Sequence, residues 1–193
     1  MSKSITVVIP VLNEAAFIEN CLTSVQAFNL PAEWIIVGVL ILDGGSQDST
    51  NELVAQAKAK DAKISLIRNP GKIQSTALNI ALKNAAGDFI LRLDAHAVYP
   101  VDYLENCIHA WLSTGADNVG GILITMPGGN SYGAQLVQAL TTHRFGVGNA
   151  GFRLGEGSGK ADTGPYGFFK KDLFSKIGLF DERFFVTSED DDL

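Results

Sequence analysis

The sequence predicts an α/β fold, with a mostly parallel central sheet flanked by helices. Two observations point there. Short apolar runs, rich in Val and Ile, alternate through Trp111 with stretches whose apolar residues recur at helical spacing. Their lengths suit strand–helix–strand crossovers, which bring each new strand back parallel to an earlier one. A third observation makes the fold affordable in size: 193 residues, 46% of them hydrophobic, can bury a core, and a net charge of −6 is too small for a disordered chain.

Ile5 to Ile9 is a β-branched run closed by Pro10, and reads as a buried strand. Ile18, Cys21, Leu22 and Val25 form one apolar helical stripe. Trp34 to Leu42 is continuously apolar, as expected of a strand covered on both faces. Asp43-Gly44-Gly45-Ser46 breaks that run, and Ser49 with Glu52 fits a capping box ahead of the Leu53, Val54, Ala57 stripe. Ile64 to Ile67 is a third strand. Leu78, Ala81, Leu82 and Ala85 mark a helix ended near Gly87, Phe89 to Leu93 a fourth strand, and Leu104, Cys107, Ile108 and Trp111 another helix. Val119 to Thr125 reads as a strand, and a helix is expected near Tyr132 to Leu140. Residues 115–167 hold 14 of the 20 glycines, the pattern of a functional loop or lid.

Four of the 21 acidic residues are Glu189 to Asp192. Without them fifteen basic residues face seventeen acidic ones, so the body is nearly neutral and offers no basic face to nucleic acid. Cys21 and Cys107 have neither CxxC spacing nor a His partner, which points to reduced thiols in a reducing compartment. No apolar stretch reaches the roughly 20 residues of a membrane span, and the N-terminus lacks the features of a signal peptide. The chain stops at Asp192-Leu193 without a cap or closing glycine, and is expected to be the C-terminally truncated part of a longer protein.

Four groups of residues can carry chemistry. In Pro10-Val11-Leu12-Asn13-Glu14, Asn13 and Glu14 serve either as a helix cap and a dipole-favoured acid or as hydrogen-bonding partners of a base or ribose. Asp43 follows nine apolar residues, so its carboxylate needs a hydrogen-bond donor, from its own turn or from a base. Asp94 and His96 lie on the same side of an extended segment, and this carboxylate–imidazole pair can hold a divalent ion such as Mn²⁺, or simply be a solvated strand end. The acids 189–192 are either a solvated run or the source of a general base.

In this order, these segments resemble family 2 glycosyltransferases of the GT-A fold, the nucleotide-diphospho-sugar transferase fold. The matching series is Val7 to Glu14; Asp43-Gly-Gly-Ser46-x-Asp48-x-Thr50; Ala77-Leu-Asn79-x-Ala81; Gly87-Asp88 through Asp94-x-His96; Pro165-Tyr-Gly167-Phe-Phe-Lys-Lys; Gly178-Leu-Phe-Asp181-Glu182; and Ser188-Glu189-Asp190. The Asp-Ala-His form and the segment Phe145 to Ala150 are similar to the succinoglycan glucosyltransferase subgroup. The resemblance implies one catalytic domain, with a nucleotide-sugar half over 1–97 and an acceptor half over 98–193 that is incomplete at its C-terminus.

It also implies roles. Pro10, Asn13, Glu14 and Asp43 would line the nucleoside pocket, Asp43 facing the uracil. Asp94 would contact the ribose and the metal, and Lys72 would approach the diphosphate. His96 stands where the family usually has a second Asp that ligates the metal, a change that favours Mn²⁺ over the oxygen-preferring Mg²⁺. Asp190 would be the catalytic base, with Glu189 and Asp191 as close alternatives. Tyr166, Gly167 and Phe168 would lie near the acceptor.

The implied reaction is inverting transfer of a sugar, expected to be glucose, from a UDP-sugar to a polysaccharide or lipid-linked saccharide, as in exopolysaccharide synthesis. The implied cofactor is Mn²⁺ or Mg²⁺, the setting cytoplasmic. Any membrane contact is expected at the cytoplasmic face, through the region beyond this chain. Two alternatives stay open. A nucleotidyltransferase would share the sheet and metal but carry a basic, glycine-rich phosphate loop near its N-terminus, whereas Pro10 to Glu14 is acidic and glycine-free. A non-catalytic UDP-sugar-binding module would keep the pocket without turnover.

Overall fold

The computed structural model describes residues 2–148, 150–155, 159–161 and 165–183. A six-stranded sheet, in the order β3-β2-β1-β4-β6-β5, organises them. The strands are β1 (Lys3–Val11), β2 (Trp34–Asp43), β3 (Ile64–Arg68), β4 (Phe89–Arg92), β5 (Asn118–Val119) and β6 (Gly167–Lys170). The first four run parallel, and β6 pairs antiparallel with both β4 and β5. The crossovers contain α1 (Ile18–Gln26), α2 (Thr50–Lys60) and α3 (Gln74–Asn84), and α4 (Tyr103–Thr114) follows β4. The short helix α8 (Phe174–Ile177) lies beyond β6. The chain divides into two compact units, residues 1–119 with 166–193, and residues 120–165. The half expected over 1–97 falls within the first, whereas 98–193 is shared between them.

The sheet buries side chains on both faces. On one, Val8, Leu40, Leu42, Ile90 and Phe169 pack with Leu78, Ala81 and Leu82 of α3 and with Phe174 and Phe180. On the other, Phe89 and Phe168 stack at 5.3 Å between ring centres, and Trp111 of α4 meets Phe89 edge-on at 4.9 Å. Trp34 closes this cluster at 4.8 Å from Phe89. Offset and edge-on aromatic pairs contribute about 1 kcal/mol each beyond simple burial. Cys21 and Cys107 are free and buried, as their sequence context suggested.

Several elements differ from the sequence expectations, each for a local reason. Pro10 does not end β1, which runs on to Val11. Val8 turns its carbonyl to Leu93 beside β4, so Pro10, two residues on, directs its donorless nitrogen to the same side. The β4 ladder has already ended at Val8, and nothing is lost there. Only the second half of β2 is covered on both faces. β3 pairs from Val39 onward, leaving Ile35 and Val37 partly exposed on an open edge.

The expected capping box is not formed, because the Ser49 side chain makes no cap hydrogen bond. Asp48 takes its place and accepts from the Thr50 N–H at 3.0 Å. The strand expected over Val119 to Thr125 stops at Val119, where Gly120-Gly121 take the chain into the second unit. β6 carries no period that reveals it, since Gly167-Phe168-Phe169-Lys170 is too short to alternate. The second unit contains α5 (Tyr132–Thr141), capped by the Ser131 hydroxyl, and the one-turn helices α6 (Arg144–Val147) and α7 (Gly151–Leu154).

Two of the sequence motifs meet in the core. The buried Asn79 of α3 donates to the Phe180 carbonyl at 2.9 Å and to Glu182 Oε1 at 2.8 Å, while accepting from the Phe180 N–H at 3.0 Å. It ties residues 178–182 to the helix by satisfying both backbone groups of one residue. At Gly87 a Cβ would stand 2.6 Å from the backbone nitrogen of Thr6, so the entry into β4 accepts no side chain. Asn79→Ala would leave the Phe180 N–H and C=O buried and unpaired, at about 1–3 kcal/mol for each lost partner. Urea denaturation is expected to show about 3 kcal/mol lower stability at an unchanged m-value.

Candidate active site

Of the residues singled out from sequence, Pro10, Asn13, Glu14, Asp43, Lys72, Asp94 and His96 lie at or just beyond the carboxyl ends of the parallel strands. Asp43 is the last residue of β2 and is buried. Its Oδ1 accepts from the Ser46 N–H at 2.9 Å and its Oδ2 from the Asn51 amide at 3.3 Å. Burial opposes ionisation here, but the hydrogen bonds from Ser46, Asn51 and the Gly45 N–H outweigh it, and they hold the carboxyl below its ordinary pKa. The donor that the sequence left open is therefore supplied first by the turn itself.

The loop after β1 is laced to the loop after β2. The Asn13 N–H donates to Ser46 Oγ at 2.9 Å, and Asn13 Oδ1 accepts from the Gln47 N–H at 2.8 Å. The Glu14 N–H donates to Thr50 Oγ1 at 2.9 Å, and the Ala15 N–H to Asp48 Oδ2 at 3.0 Å. Asn13 adopts a left-handed backbone, φ +58°, which asparagine tolerates better than most residues. It is not the cap of α1, which begins at Ile18. Its side chain instead bridges two loops, an arrangement no local pattern signals.

The loop after β3 adds the third wall. The Asn69 N–H donates to the Asp43 carbonyl at 2.7 Å, and its side-chain amide donates to Ile73 at 2.9 Å. These bonds shape the turn that carries Lys72, whose φ of +62° is an uncommon left-handed value for lysine. After β4, the buried Tyr99 hydroxyl accepts from the Asp94 N–H at 2.8 Å and donates to the Asp94 carbonyl at 3.1 Å. Burial, first of all, raises the Tyr99 pKa, so the phenol keeps its proton and can donate. The buried Arg92 pairs with Asp94 Oδ1 at 3.2 Å, and the Cys21 thiol, pushed up to about 12 mainly by burial, lies 3.5 Å from the Asp94 carbonyl. Sequence reading missed Asn69, Arg92 and Tyr99. The available signal was for Arg92 alone: a cation inside the apolar run Phe89 to Leu93, two residues before a candidate carboxylate.

A cleft of about 180 Å³ results, lined among others by Pro10, Glu14, Asn69, Lys72, Asp94 and His96. His96 Nδ1 lies 3.1 Å from Glu14 Oε1. The structure thus brings Pro10, Glu14, Lys72, Asp94 and His96 into one cleft. Asn13 and Asp43 are not among its lining residues; Asn13 laces the loops after β1 and β2, and Asp43 holds the turn after β2. Tyr166 is buried, with φ +61°, and meets Tyr99 edge-on at 5.3 Å. Gly167 begins β6, and the Phe168 ring is wholly buried in the aromatic cluster, so it supports the sheet instead of presenting a contact surface. Glu189, Asp190 and Asp191 lie outside the described residues. Among the described residues no cluster of three or more His, Cys, Asp or Glu could hold a metal ion by itself.

The mixed six-stranded sheet flanked by helices, with its cleft at the carboxyl ends of the parallel strands, has the GT-A fold of nucleotide-diphospho-sugar transferases. The chain belongs to glycosyl transferase family 2, whose family model matches residues 6–178. The nucleotidyltransferase alternative is thereby set aside.

The chain is 33% identical over 185 residues to the succinoglycan biosynthesis protein ExoA of Rhizobium meliloti, a match covering 95% of this chain and 54% of that protein. It is 26% identical over 193 residues to the dolichyl N-acetyl-alpha-D-glucosaminyl phosphate 3-beta-D-2,3-diacetamido-2,3-dideoxy-beta-D-glucuronosyltransferase of Methanococcus voltae, covering 96% of this chain and 59% of that one. The chain thus spans little more than half the length of these relatives. Among solved structures, the mannosyltransferase PcManGT of Pyrobaculum calidifontis, in complex with GDP-Man and Mn²⁺, superposes with a TM-score of 0.68 at 21% identity. That match covers 99% of this chain and 50% of the other, and speaks for the fold. Among the described residues no helix is long and apolar enough to cross a membrane.

The Asp43 geometry sets an acid limit. Because its folded pKa lies below the unfolded value of about 3.9, its contribution is present above that value and is lost as pH falls through the folded one. Stability followed by urea denaturation between about pH 5 and pH 3 is expected to fall less in Asp43→Asn than in wild type.

Proposed function

We propose that the chain is the catalytic part of an inverting glycosyltransferase that transfers a sugar, glucose as first choice, from a UDP-sugar to a polysaccharide or lipid-linked saccharide. The observation that carries this reading is the cleft that joins Lys72, Glu14, Asp94 and His96 at the sheet's carboxyl edge. The acceptor class rests on the relatives, one acting in succinoglycan biosynthesis and one named for a dolichyl-linked sugar. The two free, buried thiols suit a cytoplasmic setting, and contact with the membrane face would come through parts of the protein beyond this chain.

The residues divide the work. Residues 1–97 hold the donor. Pro10 and the laced Asn13 and Asp43 form the nucleoside side, Asp94 takes the ribose, and the Lys72 ammonium opposes the diphosphate charge. Residues 98–193 serve the acceptor, with Tyr166 and Gly167 nearest to it and Phe168 supporting their strand from the core. Asp190, or its neighbour Glu189, accepts the proton of the acceptor hydroxyl as that oxygen bonds to the anomeric carbon. The bond to the diphosphate breaks on the opposite face, so the configuration inverts, and an α-linked donor gives a β-glycoside.

The donor set fits a divalent ion only as a half-site. Asp94 offers carboxylate oxygen and His96 imidazole nitrogen in one cleft, a mixture that suits Mn²⁺ better than Mg²⁺. Substrate phosphates commonly complete such sites. Bound there, the ion would supply Lewis-acid stabilisation of the leaving diphosphate.

Titration calorimetry with UDP tests the reading. Wild type is expected to bind UDP more tightly with Mn²⁺ than without it, and His96→Ala and Asp94→Asn to weaken that Mn²⁺-dependent binding at least about tenfold. Binding indifferent to Mn²⁺ in all three proteins would rule out the metal role of both residues.

A further inference from the structure

Glu14 was read from sequence as a nucleoside contact, but in the structure its carboxylate sits on His96. Oε1 lies 3.1 Å from Nδ1, with the Glu14 side chain 18% exposed and the His96 side chain 60% exposed. Glu14 is itself tightly held. Its N–H donates to Thr50, and its carbonyl accepts from the N–H groups of Phe17 and Ile18 at 2.9 Å each as the chain enters α1. His96 has no such anchorage within its own loop: the clamp on that loop is Tyr99, which grips the backbone of Asp94. A neutral imidazole has two tautomers, and only the nitrogen without a proton can ligate a cation. An exposed ring without a partner would divide its time between tautomers and rotamers.

We propose that Glu14 is a positioning residue: its carboxylate accepts the Nδ1–H of His96, which fixes the ring and leaves Nε2 bare as the atom offered to a divalent cation. A carboxylate behind a ligating histidine is a recurrent device, and its loss typically weakens metal affinity 10–100-fold. The inference rests on the reading of His96 as a metal ligand.

Two measurements test it. Nitrogen-15 spectra of the metal-free protein at about pH 8, where an ordinary imidazole is neutral, report which His96 nitrogen carries the proton; His96→Ala identifies the signals. Wild type is expected to be protonated at Nδ1 and bare at Nε2, Glu14→Ala to give a tautomer mixture, and Glu14→Gln, whose amide oxygen still accepts, to recover the wild-type tautomer. A single Nε2–H tautomer in wild type would overturn the proposal.

The second is Mn²⁺ titration in the presence of UDP, followed by electron paramagnetic resonance across a double-mutant cycle. Glu14→Ala is expected to weaken Mn²⁺ 10–100-fold in wild type and not at all in the His96→Ala background. The same loss in both backgrounds would assign Glu14 a direct contact to the nucleotide and overturn the positioning role. An unchanged affinity in His96→Ala alone would instead overturn the metal reading beneath it, and that outcome is separately visible.

Discussion

The site depends on one constraint: the carboxylate of Asp43, at the buried end of β2, must be satisfied. It is met by Ser46 and Asn51, and the turn that brings those donors into place also presents Ser46, Gln47, Asp48 and Thr50 to the loop after β1. Four hydrogen bonds then lace Asn13, Glu14 and Ala15 to that turn. The Asp43 carbonyl extends the same arrangement to Asn69 and the loop that carries Lys72. Three strand-end loops are thereby held by one buried acid and its immediate neighbours, so the proposed donor would meet a largely formed surface. Preformation of this kind lowers the ordering cost of binding.

The core and the site divide the sequence between them. Phe89, Trp111, Trp34 and Phe168 fix the sheet on one face, and Phe169, Phe174 and Phe180 fix it on the other. Asn79, although polar and buried, belongs to the core's work: it holds residues 178–182 onto α3 through both backbone groups of Phe180. Residues that seem motif-like in sequence therefore serve two ends. Gly87 and Asn79 secure strand and segment placement, whereas Glu14, Lys72, Asp94 and His96 form the cleft.

The first four strands and the helices between them were legible because their periods are strong and their crossovers regular. What escaped was set by contacts distant in sequence. The continuation of β1 through Pro10 depends on where β4 happens to end, and the short reach of β5 on Gly120-Gly121. β6 forms because a four-residue segment finds β4 and β5 about fifty to eighty residues away. In the site, Asp94 and His96 could be paired from their spacing alone. Asn13 could be singled out but not assigned, since its partners Ser46 and Gln47 are more than thirty residues on. Tyr99 and Asn69 had no pattern at all, because their value lies in the backbone groups they satisfy. The carboxylates 189–191 lie outside the described residues, and their roles rest on the family resemblance.

The central claim is that one nucleotide-sugar site is assembled from the loops after β1, β2, β3 and β4. Amide hydrogen exchange of the whole chain, with and without UDP and Mn²⁺, tests it most directly. The account predicts slower exchange confined to residues 10–15, 43–51, 69–74 and 94–99 when both are added, with the strand interiors unchanged. Protection absent from these segments, or confined to residues 120–165, would contradict it.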